Sequence, residues 1–155
     1  MLAAPVFAVS FEAKVWLSAD TALVAFCLIS SSIYLLNDCL DVAADRTHPR
    51  KKNRPIAAGL LSKRRALLTA GVLALISFVI STWLTPTLTA VLLVYGLIQV
   101  GYCLHLKSIP LIDLFCIASG FLLRAIAGAV SASLQASPWF LLTVGLLALF
   151  LGIEK

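Results

Sequence analysis

Charged side chains are scarce in this sequence. Asp, Glu, Lys and Arg make up 12% of its 155 residues, whereas 61% are hydrophobic, and the mean hydropathy is +1.04. Such a composition lies far outside the range of soluble globular proteins and is typical of integral membrane proteins. The sequence therefore predicts a protein that is embedded in a lipid bilayer.

Several functional patterns are missing as well. The four cysteines show no CxxC spacing, which argues against a zinc knuckle or a disulfide scaffold. The sequence contains no Ser–His–Asp arrangement, no glycine-rich phosphate loop and no nucleic-acid-binding pattern, so we expect no nucleic-acid partner. The few charged residues that do occur are therefore the main guide to function.

Five apolar runs come near the roughly 20 residues that an α-helix needs to cross a bilayer. The runs cover residues 21–36, 66–84, 87–104, 111–130 and 139–153. They predict an all-α fold, a polytopic transmembrane helix bundle of about five spanning helices, which forms a single integral-membrane domain over residues 1–155. The first and last runs are short, so we expect them to extend into polar residues or to tilt little.

Positive charge is concentrated between the first two predicted spans, where eight of the 12 Lys and Arg residues lie. Lys and Arg near helix ends are retained on the cytoplasmic side of a membrane. The loop at 37–65 is therefore predicted to face the cytoplasm from a cell inner membrane. A simpler role for the same basic patch is to hold anionic lipid headgroups.

Three aspartates stand at the start of this loop, in the stretch LLNDCLDVAADRTHPRKKNRPIAAG at residues 35–59. If the helix continues here, Asp38, Asp41 and Asp45 fall within about 60° of arc on one face. Like charges at this spacing destabilise a helix unless a cation lies among them. Because hard oxygen ligands favour Mg²⁺, which completes its coordination with water and substrate phosphate, we predict a Mg²⁺ site.

The residues that follow predict a partner for such a phosphate. Guanidinium and ammonium groups beside the metal would form a clamp for a diphosphate. The residues that would supply them are Arg46, Arg50, Lys51, Lys52 and Arg54. Pro55 predicts an extended segment and Gly59 a turn or a close approach, before the second span begins near Ser62. The alternative is a solvated connector whose acids and bases simply pair with one another.

A second polar feature is Arg124, inside the fourth predicted span. An arginine in a span costs free energy unless it is paired or faces a polar cavity, so Arg124 is a candidate phosphate ligand. Gly120 and Gly128, on its own face, would let a neighbouring helix or a lipid tail come close. Alternatively, Arg124 caps carbonyls or snorkels within the bundle. A place in the aromatic belt at the membrane interface or in the core is a sufficient explanation for Tyr95. The three serines at 30–32 predict a polar pocket or hydrogen bonds to backbone carbonyls.

The loop also resembles a known family. Asn37-Asp38-x-x-Asp41-x-x-x-Asp45, followed by Arg-Pro-Ile-Ala-Ala-Gly at 54–59, is similar to the first aspartate-rich motif of the UbiA superfamily of membrane-embedded prenyltransferases. The sequence from Asp45 to Gly59 looks most like that of one branch of this superfamily, the decaprenyl-phosphate phosphoribosyltransferases. The likeness continues through LKSIPLIDLFCIASGFLLRAIAGA and SPWFLLTVGLLALFLGIEK, so it covers nearly the whole chain.

This resemblance implies a specific site and reaction. Asp38, Asp41 and Asp45 would be the catalytic, metal-binding aspartates, with Mg²⁺ as the cofactor. Phosphoribosyl pyrophosphate would be the donor, and a polyprenyl phosphate, with its tail in a groove open to membrane lipid, the acceptor. The residues expected to bind substrate phosphate are Asn37, Arg46, Lys51, Arg54 and Arg124.

The sequence also departs from the superfamily pattern, which has nine spanning helices and a second acidic motif in a later loop. We therefore expect a chain that is incomplete at both ends, with residues 1–18 resembling the remnant of a first family helix. It would be a fragment, a truncated product, or a half that assembles as a homo-oligomer or with a complementing chain. Two other functions stay open, namely prenyl transfer from prenyl diphosphate to an aromatic acceptor such as 4-hydroxybenzoate, and a non-catalytic membrane protein.

Overall fold

The computed structural model of the chain describes residues 2, 5–6, 12–105 and 109–153, so that most of the predicted remnant up to Phe11 lies outside the described residues. Within 12–105 and 109–153 all regular secondary structure is helical, which confirms the all-α prediction. The elements are α1 (Ala13–Leu40), α2 (Val42–Thr47), a 3₁₀ helix (Lys51–Asn53), α3 (Lys63–Leu84), α4 (Pro86–Leu104), α5 (Pro110–Ser131) and α6 (Pro138–Ile153).

Four of these helices, α1, α3, α4 and α5, are long and apolar enough to cross a membrane. The first predicted run at 21–36 extends at both ends into polar residues, and the resulting helix α1 has 28 residues. The fifth predicted span is also helical, as α6, but with 16 residues it is shorter than the other four. The described part of the chain thus holds four full-length spans and one shorter apolar helix.

Helix α1 is the centre of the bundle, because it packs against α3, α4 and α5, while α6 packs mainly on α5. The core between these helices combines alanines and larger apolar residues of α1 with large residues of α4. Its fully buried members include Ala22, Ala25, Phe26, Leu88, Leu92, Tyr95 and Ala127. Two aromatic rings are therefore part of the core where α1 meets α4.

The most extensive helix contact, between α1 and α3, is built on small polar and apolar residues. The Ser32 hydroxyl donates to the carbonyl of Ala70 at 2.8 Å, and the Ser77 hydroxyl donates to the carbonyl of Ala25 at 2.7 Å. Small side chains let two helices approach closely, and hydrogen bonds between them add to the association in a membrane. The pairing of α1 with α3 fixes the two ends of the loop that joins them.

The loop itself follows the sequence prediction closely. Arg54 has an extended backbone at ψ 142°, and the Ser62 hydroxyl caps α3 by accepting from the backbone N–H of Arg65. Gly59 has φ +80°, and a Cβ added to it would meet nothing within 4 Å. Of the two predicted roles, Gly59 therefore serves as a turn and not as a close approach. Ile56 and Cys39 are buried in a small core that anchors the loop to the end of α1.

Candidate functional site

The aspartate-rich segment is helical, with one bend at Asp41. The backbone N–H of Asp41 donates to Asn37 at 2.9 Å, and that of Asp45 donates to Asp41 at 2.8 Å. The hydrogen-bond pattern of the helix therefore continues from α1 into α2, although Asp41 has φ −88° and ψ 2°. The predicted helical continuation to Arg46 is confirmed except at this residue.

Two of the three aspartates meet the same arginine. Arg54 Nη1 lies 2.9 Å from Asp38 Oδ1 and 2.9 Å from Asp45 Oδ2. The Asp45 side chain is 5% exposed and the Arg54 side chain 36% exposed, so the contact lies at the edge of the protein interior. We call Asp38, Asp45 and Arg54 the acid–arginine cluster. The alternative in which acids and bases of the loop pair with one another is confirmed for these three residues.

The two carboxylates of the acid–arginine cluster are ligands of the type that suits Mg²⁺, and an ion bound by both would take the place that Arg54 Nη1 occupies between them. Since both carboxylates reach the same nitrogen, their oxygens converge on one point, and hard oxygen donors are the ligands that Mg²⁺ prefers. Mg²⁺ usually takes one or two carboxylates and leaves its other positions to water and substrate phosphate. Among the described residues, no three acidic, histidine or cysteine side chains are grouped closely enough to share one ion. Asp41 as a third ligand therefore stays a prediction.

The other predicted phosphate ligands of the loop have contacts of their own. Arg46 Nε donates to the backbone carbonyl of Ala57 at 3.2 Å, which ties α2 to the returning loop. Lys51 is exposed, and its backbone N–H, like that of Arg50, donates to His48 Nδ1. The role of His48 as an acceptor that shapes the basic turn was not predicted. The His-Pro dipeptide inside a basic run was the sequence feature that could have indicated this turn.

Arg124 lies apart from the acid–arginine cluster, inside the helix bundle. Its Nη2 donates to the phenol oxygen of Tyr95 at 3.3 Å, and that oxygen lies 3.0 Å from the hydroxyl oxygen of Ser30. The guanidinium carbon also lies between 5.5 and 5.8 Å from the ring centroids of Phe26, Tyr95 and Phe121. The arginine thus faces polar and aromatic partners on α1, α4 and its own helix.

A cavity of about 250 Å³ opens beside this arginine. Gly120 borders it, and an added Cβ there would come within 3.1 Å of Gln99 Nε2 and 3.7 Å of the Tyr95 ring, which confirms the predicted close approach of a neighbouring helix at this glycine. Sequence reasoning missed Tyr95 and Gln99 as cavity residues, although their spacing of four residues within an apolar run places two polar groups on one face of α4. The pocket predicted at residues 30–32 is confirmed for Ser30.

Comparison with known proteins identifies the family. A model of the UbiA prenyltransferase family matches residues 1–154. The chain belongs to this family. With its four helices that are long enough to cross a membrane, it is an integral membrane protein.

Several curated relatives match the chain over a large part of its length. It is 47% identical to the decaprenyl-phosphate phosphoribosyltransferase of Mycolicibacterium smegmatis, over 100% of this chain and 50% of the relative. The protein of the same name from Corynebacterium glutamicum is 42% identical over 100% of this chain and 48% of the relative. A digeranylgeranylglyceryl phosphate synthase of Methanoregula boonei is 34% identical over 54% of this chain and 29% of the relative. The chain thus spans about half the length of the first two relatives.

Proposed function

We propose that the chain takes part in Mg²⁺-dependent transfer of a phosphoribosyl group from phosphoribosyl pyrophosphate to a polyprenyl phosphate. The observation that carries this proposal is the 47% identity, over the whole chain, to a protein named decaprenyl-phosphate phosphoribosyltransferase. The geometry supports it because two carboxylates and a guanidinium converge at one helix end, beside an exposed basic loop. Such a set of groups suits a metal-bound diphosphate.

In this proposal the acid–arginine cluster binds the donor. Asp38 and Asp45 would hold the metal, with Asp41 as the third predicted ligand, and Arg54 and Lys51 would contact the pyrophosphate, with help from Arg46 and Asn37. Bound Mg²⁺ supplies neutralisation of the charge that builds up on the departing pyrophosphate. The basic loop would add charge-assisted donors to the pyrophosphate.

The reaction is a displacement at the anomeric carbon of ribose. An oxygen of the acceptor phosphate forms a bond to that carbon, while the bond to pyrophosphate breaks and its electron pair leaves with pyrophosphate. The acceptor is already an anion, so the step requires no general base. The chain's task is to hold two phosphate groups on either side of one sugar and to offset their negative charge.

We further propose that the 37–65 loop faces the cytoplasm of an inner membrane. Eight of 12 basic residues lie in or beside this loop, as expected for a cytoplasmic segment, and the donor is soluble in water. Because the chain spans about half the length of its first relatives, we propose that activity also requires further helices, from a second copy, a complementing chain or a longer form of this protein.

The test is a transfer assay in membranes that contain the protein, polyprenyl phosphate, Mg²⁺ and labelled phosphoribosyl pyrophosphate, with the M. smegmatis relative as the positive control. Label should enter the organic-soluble lipid fraction, disappear with EDTA and fall sharply in Asp38→Asn and Asp45→Asn. Asp20→Asn is the matched control, since Asp20 is an exposed aspartate at the opposite end of α1. Lipid labelling that Asp45→Asn leaves unchanged would contradict the proposal.

Family membership keeps one second function under consideration, namely prenyl transfer from a prenyl diphosphate to an aromatic acceptor. The same carboxylates would then hold the prenyl diphosphate. Supplying labelled prenyl diphosphate with 4-hydroxybenzoate to the same membranes distinguishes the two functions, because each predicts a product that the other does not. If neither donor gives a product that depends on Asp45, even when the further helices are supplied, a non-catalytic role accounts better for the chain.

A further inference from the structure

Arg124 sits within a membrane-spanning helix without a carboxylate partner among the described residues. Its guanidinium donates one hydrogen bond, to the Tyr95 phenol, and three aromatic rings surround its carbon at 5.5 to 5.8 Å. Aromatic faces attract a cation but offer no negative charge. An arginine in a span faces a cavity or an anion by default, so this guanidinium is suited to an anionic ligand.

Tyr95 holds the arginine in place. Its side chain is buried at 3% exposure, and its ring lies 4.5 Å from that of Phe26, centroid to centroid. Because the phenol oxygen accepts from Arg124, its own hydrogen can be donated to the Ser30 hydroxyl, 3.0 Å away. Ser30 then has its own hydrogen available for a ligand. Arg124 therefore offers a guanidinium and Ser30 a hydroxyl donor to the same cavities.

Two cavities have both Ser30 and Arg124 in their walls. The first, of about 250 Å³, reaches Tyr34, one helical turn from Asp38. The second, of about 320 Å³, has apolar walls that include Leu23 and Phe26. A ligand with a charged head and an apolar tail matches this arrangement, with its head at Ser30 and Arg124 and its tail in the second cavity.

We propose that Ser30, Tyr95 and Arg124 form a binding site for the phosphate monoester of a membrane lipid, with Tyr95 as the positioning residue. The inference rests on the proposed function, in which a lipid phosphate is the acceptor. Ser30 precedes Asp38 by eight residues on α1, which corresponds to about 12 Å along the helix axis. That separation leaves room for a sugar between a phosphate at Ser30 and a metal-bound diphosphate at the acid–arginine cluster.

The experiment measures lipid binding to the purified protein in nanodiscs, without donor, by native mass spectrometry. Farnesyl phosphate and farnesol are the probes, and the readout is the ratio of their affinities. The wild type should prefer the phosphate, and Arg124→Gln should reduce this preference about tenfold or more, as expected when charge-assisted hydrogen bonds are lost. Tyr95→Phe should reduce it by a smaller factor and leave farnesol affinity unchanged, whereas a purely structural loss would weaken both ligands equally.

Arg64→Gln is the matched control, because Arg64 is exposed at the start of α3 and its loss should not alter the ratio. Arg124→Lys keeps the charge and removes the fork, so it tests the site even if Arg124→Gln fails to fold, and it should give an intermediate ratio. A ratio unchanged in Arg124→Lys and in Tyr95→Phe, or in a folded Arg124→Gln, overturns the proposal.

Two further arms identify the source of the phosphate and separate this inference from the proposed function. Competition by phosphatidic acid supports a site for lipid phosphate monoesters in general, and its failure to compete supports a site for isoprenoid phosphates; inorganic phosphate that competes equally well would overturn the lipid assignment. Binding is measured without phosphoribosyl pyrophosphate. An Arg124-dependent ratio in a protein that transfers no phosphoribosyl group even when the further helices proposed above are supplied would therefore refute the proposed function and support the lipid site.

Discussion

Replacing Arg54 with glutamine removes the positive charge that joins Asp38 to Asp45. Both carboxylates lie 2.9 Å from Arg54 Nη1, and the Asp45 side chain is only 5% exposed. Breaking a buried ion pair costs about 3–5 kcal/mol, and breaking an exposed one about 0–1 kcal/mol. The side chains of Arg54 and Asp38 are 36% and 28% exposed, so we expect a loss between these limits, of about 2 kcal/mol.

The assay is thermal unfolding of the purified protein in detergent. For a chain of this size, a loss of about 2 kcal/mol lowers Tm by about 4–8 °C. Arg50→Gln is the matched control, since it makes the same change of charge at an exposed position of the same loop and should shift Tm by no more than about 1 °C.

Added Mg²⁺ should restore part of the lost stability in Arg54→Gln and raise the Tm of the wild type less, because the two freed carboxylates then share a cation from solution. Asp38→Asn combined with Arg54→Gln should melt above Arg54→Gln alone, because only one carboxylate is left without its partner. The reasoning is refuted if Arg54→Gln has the same Tm as Arg50→Gln, or if Mg²⁺ raises the Tm of both variants equally.

Two other substitutions test the scaffold that holds the site. Gly59→Ala should lower the free energy of unfolding by about 1 kcal/mol, because φ is +80° there and a Cβ strains that backbone conformation. Gly71→Ala is the control, since Gly71 lies in helix α3 with open space around its Cα, and it should be neutral or stabilising. Equal Tm shifts for the two variants would contradict this prediction. Ser77→Ala should cost about 1 kcal/mol through loss of the buried hydrogen bond to Ala25; Thr143→Ala removes an exposed bond within α6 and should leave Tm unchanged.

Local features of the fold could be predicted from the sequence because they depend on neighbouring residues. The length of each apolar run predicts the helices, Ser62 caps α3 and Pro86 begins α4, and Gly59 marks the turn between α1 and α3. The N-terminal extension of α1 to Ala13 could not be predicted from hydropathy, because Lys14, Ser18 and Asp20 interrupt the apolar pattern there. The bend at Asp41 likewise gave no indication in the sequence.

The contacts of the candidate site were less predictable because they join distant parts of the chain. Helical spacing places the aspartates on one face, but it cannot show that Arg54 returns 16 residues later to contact Asp38. The packing of Ile56 against Cys39 and Ala66 makes that return possible. Similarly, Ser30 and Tyr95 are separated by 65 residues, so only the packing of α1 on α4 brings their hydroxyls together.

Binding of phosphoribosyl pyrophosphate tests the central claim most directly, because it examines the acid–arginine cluster without requiring a complete reaction. Titration of the purified protein with this donor should show saturable binding that requires Mg²⁺. Binding should weaken about tenfold or more in Asp45→Asn and Arg54→Gln and stay unchanged in Asp20→Asn. Binding that is equally strong in Asp45→Asn, or a Mg²⁺-dependent affinity for prenyl diphosphate with none for phosphoribosyl pyrophosphate, would contradict the account.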